Sequence, residues 1–177
     1  MLVSGKKIMK RFQVIGIGNA IVDVICPSSD QFLLEMSIEK GVMQLIDRER
    51  AEFLYGVMSQ RTLAPGGAVA NTLAGLGALG VRTAFIGRVR NDTLGKFYAN
   101  TMQETGTDFV NPPVAGGELP TSRSMIFISE DGERSMNTYL GISAELGPED
   151  VSLDFAKEAE VVFLEGYLFD KDKGKEA

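Results

Sequence analysis

The stretch 14-VIGIGNAIVD-23 runs from apolar residues through two glycines to an acid, and it admits three readings. A secretory signal core would explain Lys6, Lys7, Lys10 and Arg11 ahead of an apolar run. Against that, Gly16, Gly18, Asn19 and Asp23 interrupt the apolar core, and no small-x-small cleavage site follows. A dinucleotide fingerprint, G-x-G-x-x-G, would use Gly16 and Gly18, but Ile21 stands where the third glycine belongs. Residues 20–25 are also rich in β-branched side chains, so a strand is expected where that motif requires a helix. In the third reading, residues 12–17 form a buried strand and Gly18 permits a tight change of direction. Asn19 and Asp23 then arrive near the strand's carboxyl end, where open α/β sheets bind ligands. Periodicity alone equally allows Asn19 to be a turn residue and Asp23 a solvated strand residue.

Composition narrows the chemistry. The 177 residues suffice for one ordinary domain, and 44% hydrophobic with 24% charged residues reads as globular. A net charge of −6 disfavours long-range attraction to nucleic acid or to an anionic membrane. No uninterrupted apolar run approaches the roughly 20 residues needed to span a bilayer. Cys26 is the single cysteine, which rules out an internal disulfide and fits a reducing, cytoplasmic setting. The chain has no histidine, so Ser-His-Asp and Cys-His catalysis and His-ligated zinc are excluded within it. Its chemistry rests on carboxylates, backbone amides, Lys and Arg.

Further along, Ser29-Asp30 is expected to cap a short helix through Met36, and Asp47 a helix bearing Ala51, Leu54, Tyr55 and Met58 at helical spacing. Residues 41–46 and 61–64 read as strands. In 65-PGGAVANTLAGLGALG-80, Pro-Gly-Gly is expected to break the strand, a helix to start near Ala68, and Gly80 to end it. The Gly-Lys-Ser/Thr ending of a Walker A loop is absent, and Gly75 and Gly77 suggest close packing against a sheet. Residues 83–87 read as a buried strand, a helix follows from about Thr93, and residues 110–117 read as a loop. Residues 122–129 and 134–139 read as a hairpin around Glu130-Asp131-Gly132-Glu133. A last helix is expected to start in 146–150 and run to Glu158, and a buried strand over 161–164, with 171–177 a solvated tail or a helical turn. Strand–helix alternation implies a largely parallel sheet, and the half-polar strands imply a smaller sheet with one covered face.

Three motifs occur in order: Gly18-Asn19-x-x-x-Asp23, Gly66-Gly67-x-x-x-Asn71 and Gly87-x-Val89-x-x-Asp92-x-x-Gly95, followed by Gly132-Glu133-Arg134. Together they resemble the PfkB, or ribokinase-like, family of carbohydrate and purine kinases. The segments 18-GNAIVD-23 and 136-MNTYLGISAEL-146 are similar to its adenosine-kinase-like branch. The resemblance implies an α/β three-layer sandwich, here partial, with a small β-sheet lid from strands near 23–27, 41–46 and 114–139. It implies ATP-dependent transfer of a phosphoryl group to the hydroxymethyl group of a sugar or ribonucleoside. It implies ATP and Mg²⁺ as cofactors, with K⁺ an optional third, and a homodimer through the lid as a candidate assembly.

By the same resemblance, Asp23 binds acceptor hydroxyls, Asn19 and Asn71 assist it, and Gly66 and Gly67 admit the sugar against the backbone. Arg134 is the basic lid residue and Glu165 a second hydroxyl-binding carboxylate. A carboxylate suits a vicinal diol because it accepts two hydrogen bonds at once. Arg90 departs from the family's usual glycine and, with Arg88, places positive charge beside that motif, near phosphates or simply at the surface. The family's Asp-Thr-x-Gly-Ala-Gly-Asp signature, which carries the catalytic base and anion hole, has no counterpart in these residues. The expectation is therefore an N-terminal half that bears acceptor site and lid and is inactive alone, with ATP, Mg²⁺ and base held elsewhere. The alternative is a non-catalytic module that binds a sugar or nucleoside; a Rossmann oxidoreductase fits less well because of Ile21. Half of a parallel sheet is further expected to leave an unpaired edge and an uncovered apolar face.

Overall fold

The computed structural model describes residues 9–177. Lys6 and Lys7, which begin the charged segment ahead of the first strand, lie outside the described residues. The chain shuttles between two sheets. β1 (Phe12–Ile17) opens the first and β2 (Ile21–Pro27) the second. α1 (Asp30–Glu35), β3 (Met43–Leu45), α2 (Arg48–Val57) and β4 (Thr62–Gly66) stay with the second sheet. α3 (Ala68–Ala78), β5 (Thr83–Ile86), α4 (Thr93–Glu104) and β6 (Thr107–Phe109) return to the first. β7 (Ser122–Ile128) and β8 (Arg134–Tyr139) complete the second. Two 3-10 turns (Gly141–Glu145 and Pro148–Asp150), α5 (Leu153–Ala156) and β9 (Ala159–Leu164) lead back to the first. A 3-10 turn (Gly166–Asp170) and α6 (Asp172–Glu176) follow.

The first sheet has the order β6-β5-β1-β9 and every pair in it is parallel. The second has the order β3-β8-β7-β2-β4 and mixes parallel with antiparallel pairs. The expected α/β architecture, a largely parallel sheet accompanied by a smaller one, is the architecture found.

Alternation along β1 serves two cores. Ile15 and Ile17 face Leu146, Leu168, Val151 and Phe155, whereas Val14 packs on the cluster that holds Leu73 of α3 and Tyr98 and Met102 of α4. Gly16 lets α3 lie against β1, because a Cβ there would overlap Val69 and press on Leu73. The Gly16–Gly18 pair is thus a packing device, and the segment after it is strand β2, which disposes of the dinucleotide fingerprint. In the second sheet Val22, Val24, Cys26, Met125 and Phe127 bury against Leu33 of α1 and Ala51 and Leu54 of α2. Alternate residues on those strands face the other way, into a cleft.

The caps follow the sequence. Ser29 Oγ accepts from Phe32 N–H at 3.2 Å, and Asp47 Oδ1 accepts from Arg50 N–H at 2.8 Å. Gly80 ends α3 at φ +83°.

Three expectations require correction. Pro65-Gly66 does not break the strand. β4 runs through both, because it is an edge strand and needs no N–H from proline on its open side. The helix expected over 146–158 is broken: Gly147-Pro148 starts a 3-10 turn, and a helix begins only at Leu153, capped by Ser152 Oγ accepting from Phe155 N–H at 3.3 Å. The strand at 161–164 exists but is not buried. Val161 is 54% exposed and Phe163 40%, since β9 pairs only with β1 and no described helix covers it. The short strand β6 lay within no expected element. No helix among the described residues is long and apolar enough to cross a membrane.

Candidate active site

The cleft lies at the carboxyl ends of β1 and β9, beneath the inner face of the second sheet, and measures about 380 Å³. That falls within the size of small-molecule sites. The second sheet supplies one wall through Ile21 and Asp23 of β2, Ser124 of β7, and Arg134, Met136 and Thr138 of β8. These residues share a face by register: Asp23 is opposite Ser124, and Ser124 opposite Thr138. Asn19, Gly67, Ala68, Asn71, Ser143 and Glu165 form the floor, and Tyr167 and Leu168 the outer side.

Six of the seven sequence-derived site residues therefore line one cleft: Asn19, Asp23, Gly67, Asn71, Arg134 and Glu165. Gly66 lies behind it. A Cβ at Gly66 would overlap the Asp23 carboxylate, so this glycine makes room for the acid. Gly67 has φ +102°, and a Cβ there would overlap the carbonyl oxygen of Asn19. Both facts demand glycine.

Asp23 is the electrostatic anomaly. No protein donor bonds its carboxylate among the described residues, although Asn19, Ser143 and Glu165 nearby are fully engaged. Burial pushes its pKa up from the ordinary 3.8 to about 6, and the Arg134 guanidinium pulls weakly the other way. Asn71, exposed on α3, lines the cleft, and its side chain makes no hydrogen bond among the described residues. The wall thus offers an unpaired acceptor, an amide with both functions, and a cation.

Glu165 is the opposite case, being 5% exposed. Its Oε1 accepts from Asn19 N–H at 2.7 Å and from Asn19 Nδ2 at 2.6 Å, and its Oε2 accepts from Val69 N–H at 3.3 Å. Ser143 Oγ donates to Asn19 Oδ1 at 3.0 Å and accepts from Ala20 N–H at 3.0 Å. Behind Gly66, buried Tyr98 donates its hydroxyl to the Gly66 carbonyl at 2.9 Å. Burial and then the Glu165 and Asp23 carboxylates hold that phenol well above its ordinary range, so it stays a donor.

Asp92 caps α4. Its Oδ1 accepts from Gly95 N–H at 2.8 Å and from Thr121 Oγ1 at 2.7 Å, and its Oδ2 accepts from Thr121 N–H at 2.9 Å. The third motif is therefore structural. Arg88 and Arg90 do not form a positive patch: Arg88 pairs with Asp150 at 2.6 Å and Glu149 at 3.3 Å, and Arg90 Nε donates to the Leu119 carbonyl at 2.7 Å. Ser143, Tyr98, Met43, Leu45, Met136 and Tyr167 escaped sequence reasoning. The alternation Arg134-x-Met136-x-Thr138 is the available signal for the cleft wall, and Ser143 lies in the segment 136–146 without any spacing that ties it to Asn19.

No group of three or more Asp, Glu, Cys or His side chains among the described residues converges as a metal cage. The α3 N-terminus at the cleft is filled by Glu165, which repels phosphate. The cleft therefore offers neither such a cage for Mg²⁺ nor a free helix N-terminus for the phosphates of ATP among the described residues.

Comparison with known proteins agrees with this geometry. The model of the pfkB family of carbohydrate kinases matches residues 40–176. The chain belongs to that family. A solved adenosine kinase from Sinorhizobium meliloti is 48% identical with a TM-score of 0.85, over 94% of this chain and 50% of that one. A probable sugar kinase from Rhizobium etli is 49% identical with a TM-score of 0.86, over 96% and 51%. The guanosine-inosine kinase of Escherichia coli is 26% identical over 165 residues, 88% of this chain and 37% of that protein. This pfkB-family chain thus spans about half the length of the solved relatives it matches.

Proposed function

We propose that the intact protein transfers the γ-phosphoryl group of ATP to the hydroxymethyl group of a ribonucleoside or sugar. In this reading the present chain holds the acceptor and is inactive by itself. One observation carries the reading: Asp23 is a half-buried carboxylate with no protein donor among the described residues, facing a cleft of acceptor size. A buried acceptor left unpaired costs stability unless a ligand completes it. A vicinal diol does so with two O–H donors to one carboxylate.

Asn71 then donates and accepts at the same ring, while Arg134 offsets the charge and closes the lid side. Asn19 and Gly67 set the floor, and Glu165 belongs to it. Met43, Leu45, Met136 and Leu140 give the cleft an apolar flank that suits a flat base better than a second polyol. The flank and the likeness to an adenosine kinase favour a ribonucleoside over a free sugar. Lid closure excludes water from the transferring phosphoryl group, and positioning plus charge stabilisation does the rest. Mg²⁺ and ATP, the family's cofactors, are held by residues outside this chain.

Titration of the full-length protein with ribonucleosides and hexoses tests the assignment. Asp23→Ala is expected to weaken acceptor binding by roughly 100-fold or more, with ATP binding retained. Unchanged acceptor affinity and turnover in that variant would discard the role given to Asp23.

A further inference from the structure

We propose that Glu165 is a positioning residue, whose carboxylate pins the node where the chain crosses between its two sheets and so sets the pose of the lid that carries Asp23. The family resemblance implied a direct bond to an acceptor hydroxyl. The geometry points elsewhere, because both carboxylate oxygens are already engaged by this chain's own N–H groups.

The chain passes between the sheets four times, after β1, after β4, after β6 and after β8. Glu165 grips the first crossing through Asn19 and the second through Val69 N–H, at sequence separations of 146 and 96 residues. Ser143, near the start of the fourth, extends the chain of bonds through Asn19 Oδ1 and Ala20 N–H. The third crossing joins alongside, where Ile142 N–H donates to the Pro120 carbonyl at 3.0 Å.

A local reason makes a remote carboxylate necessary. Gly67 occupies the N-cap of α3, and its φ of +102° beside the Asn19 carbonyl excludes any side chain there. A glycine cannot cap with a side chain, so α3 starts with unsatisfied N–H groups. Glu165 supplies the missing acceptor from the end of β9, at the positive end of the helix dipole. Gly18 leaves the space for it, since a Cβ there would come within 2.7 Å of Glu165 Oε2. Four residues beyond Asn19 lies Asp23, so loosening the pin at Asn19 turns the strand that carries the acid.

The binding consequence rests on the acceptor reading above; the structural claim does not. Amide hydrogen exchange resolved by residue, on the ligand-free protein, tests the claim first. Glu165→Gln keeps one acceptor oxygen but sets an NH₂ donor against its partners. It is expected to speed exchange at Asn19 and Val69 at least tenfold and leave the β7–β8 pairing unchanged. Unaltered protection at both amides overturns the proposal. Should that variant fail to fold, Ser143→Ala decides: Ala20 exchange is expected to rise tenfold with Val69 within twofold of wild type, and a protected Ala20 overturns the node.

A second arm compares adenosine, 2′-deoxyadenosine and 3′-deoxyadenosine as probes. A pin predicts that Glu165→Gln weakens all three by the same factor. Loss confined to the nucleosides that keep one particular hydroxyl would make Glu165 a direct ligand and overturn the proposal. If the wild-type protein binds none of the three, the nucleoside reading fails and the exchange arm still decides the pin.

Discussion

Asp23 and Glu165 are carboxylates of one cleft, yet they sit in opposite circumstances. Asp23, on the wall formed by the second sheet, has lost water without gaining a donor among the described residues, and its pKa rises to about 6. Glu165, at the crossing of the two sheets, is more deeply buried and has three N–H donors. The contrast separates two kinds of polar burial. At the crossing, every group is spent on holding the chain together, and substitution should cost stability. On the wall, Asp23 has no protein partner among the described residues, so on the acceptor reading its substitution should cost binding and leave stability equal or improved.

The largest loss is expected at the crossing, from Gly67→Ala. The new Cβ meets the Asn19 carbonyl, and a left-handed φ of +102° adds strain for any L side chain. Destabilisation of about 3 kcal/mol or more follows, a fall in Tm of roughly 6–12 °C for a protein of this size. Thermal unfolding checks it. A melting temperature within 2 °C of wild type would mean that the crossing is softer than its geometry suggests.

That crossing was half legible in the sequence. Gly66-Gly67 and Gly18-Asn19 stood out because turns and close approaches demand glycine, a local requirement. The helices capped by Ser29 and Asp47 were legible for the same reason: a cap bonds three residues away. The two-residue alternation of β7 and β8 marked the hairpin, and the first two motifs held four residues that the fold brings to one cleft, Asn19, Asp23, Gly67 and Asn71, where Arg134 and Glu165 join them. What stayed hidden was non-local. Ser143 meets Asn19 and Ala20 across separations of 124 and 123 residues, with no period or spacing to announce it. The apolar run 161–164 read as buried because run length reports hydrophobicity, whereas cover depends on which segments lie over it. The engagement of Glu165 was invisible too, since a residue type says nothing about who has already claimed its oxygens.

A medium effect is expected at the third crossing, from Asp92→Ala. The substitution removes the cap of α4 and leaves Thr121 N–H without an acceptor. Losing a cap costs typically ~1 kcal/mol, and an orphaned buried donor about as much again. Denaturant unfolding should therefore show a loss of about 2 kcal/mol, with acceptor affinity nearly unchanged once the protein is folded. A large affinity loss at unchanged stability would move Asp92 from the structural side of the contrast to the binding side.

The smallest effect, and the one of opposite sign, belongs to the wall. Because the pKa of Asp23 is raised on folding, its ionisation opposes the folded state. Well below the ordinary pKa of 3.8 the carboxyl is protonated in folded and unfolded chains alike and carries no penalty. As pH rises from about 4 to about 6 the unfolded chain ionises first, and the penalty grows to its full size by pH 7. Asp23→Asn keeps the shape and removes the charge, so it should stabilise the ligand-free protein at pH 7 by about 1 kcal/mol, allowing for solvent screening at this part-exposed group. The gain should shrink toward zero at pH 4. Acceptor binding by the wild-type protein should run the other way, weakening as pH falls below about 6, because a protonated carboxyl loses acceptor capacity for a diol. Chemical denaturation and calorimetric titration over pH 4–8 measure both curves. A destabilised Asp23→Asn at pH 7 would show that the acid has a partner in the free protein, and Asp23 would then belong with Glu165.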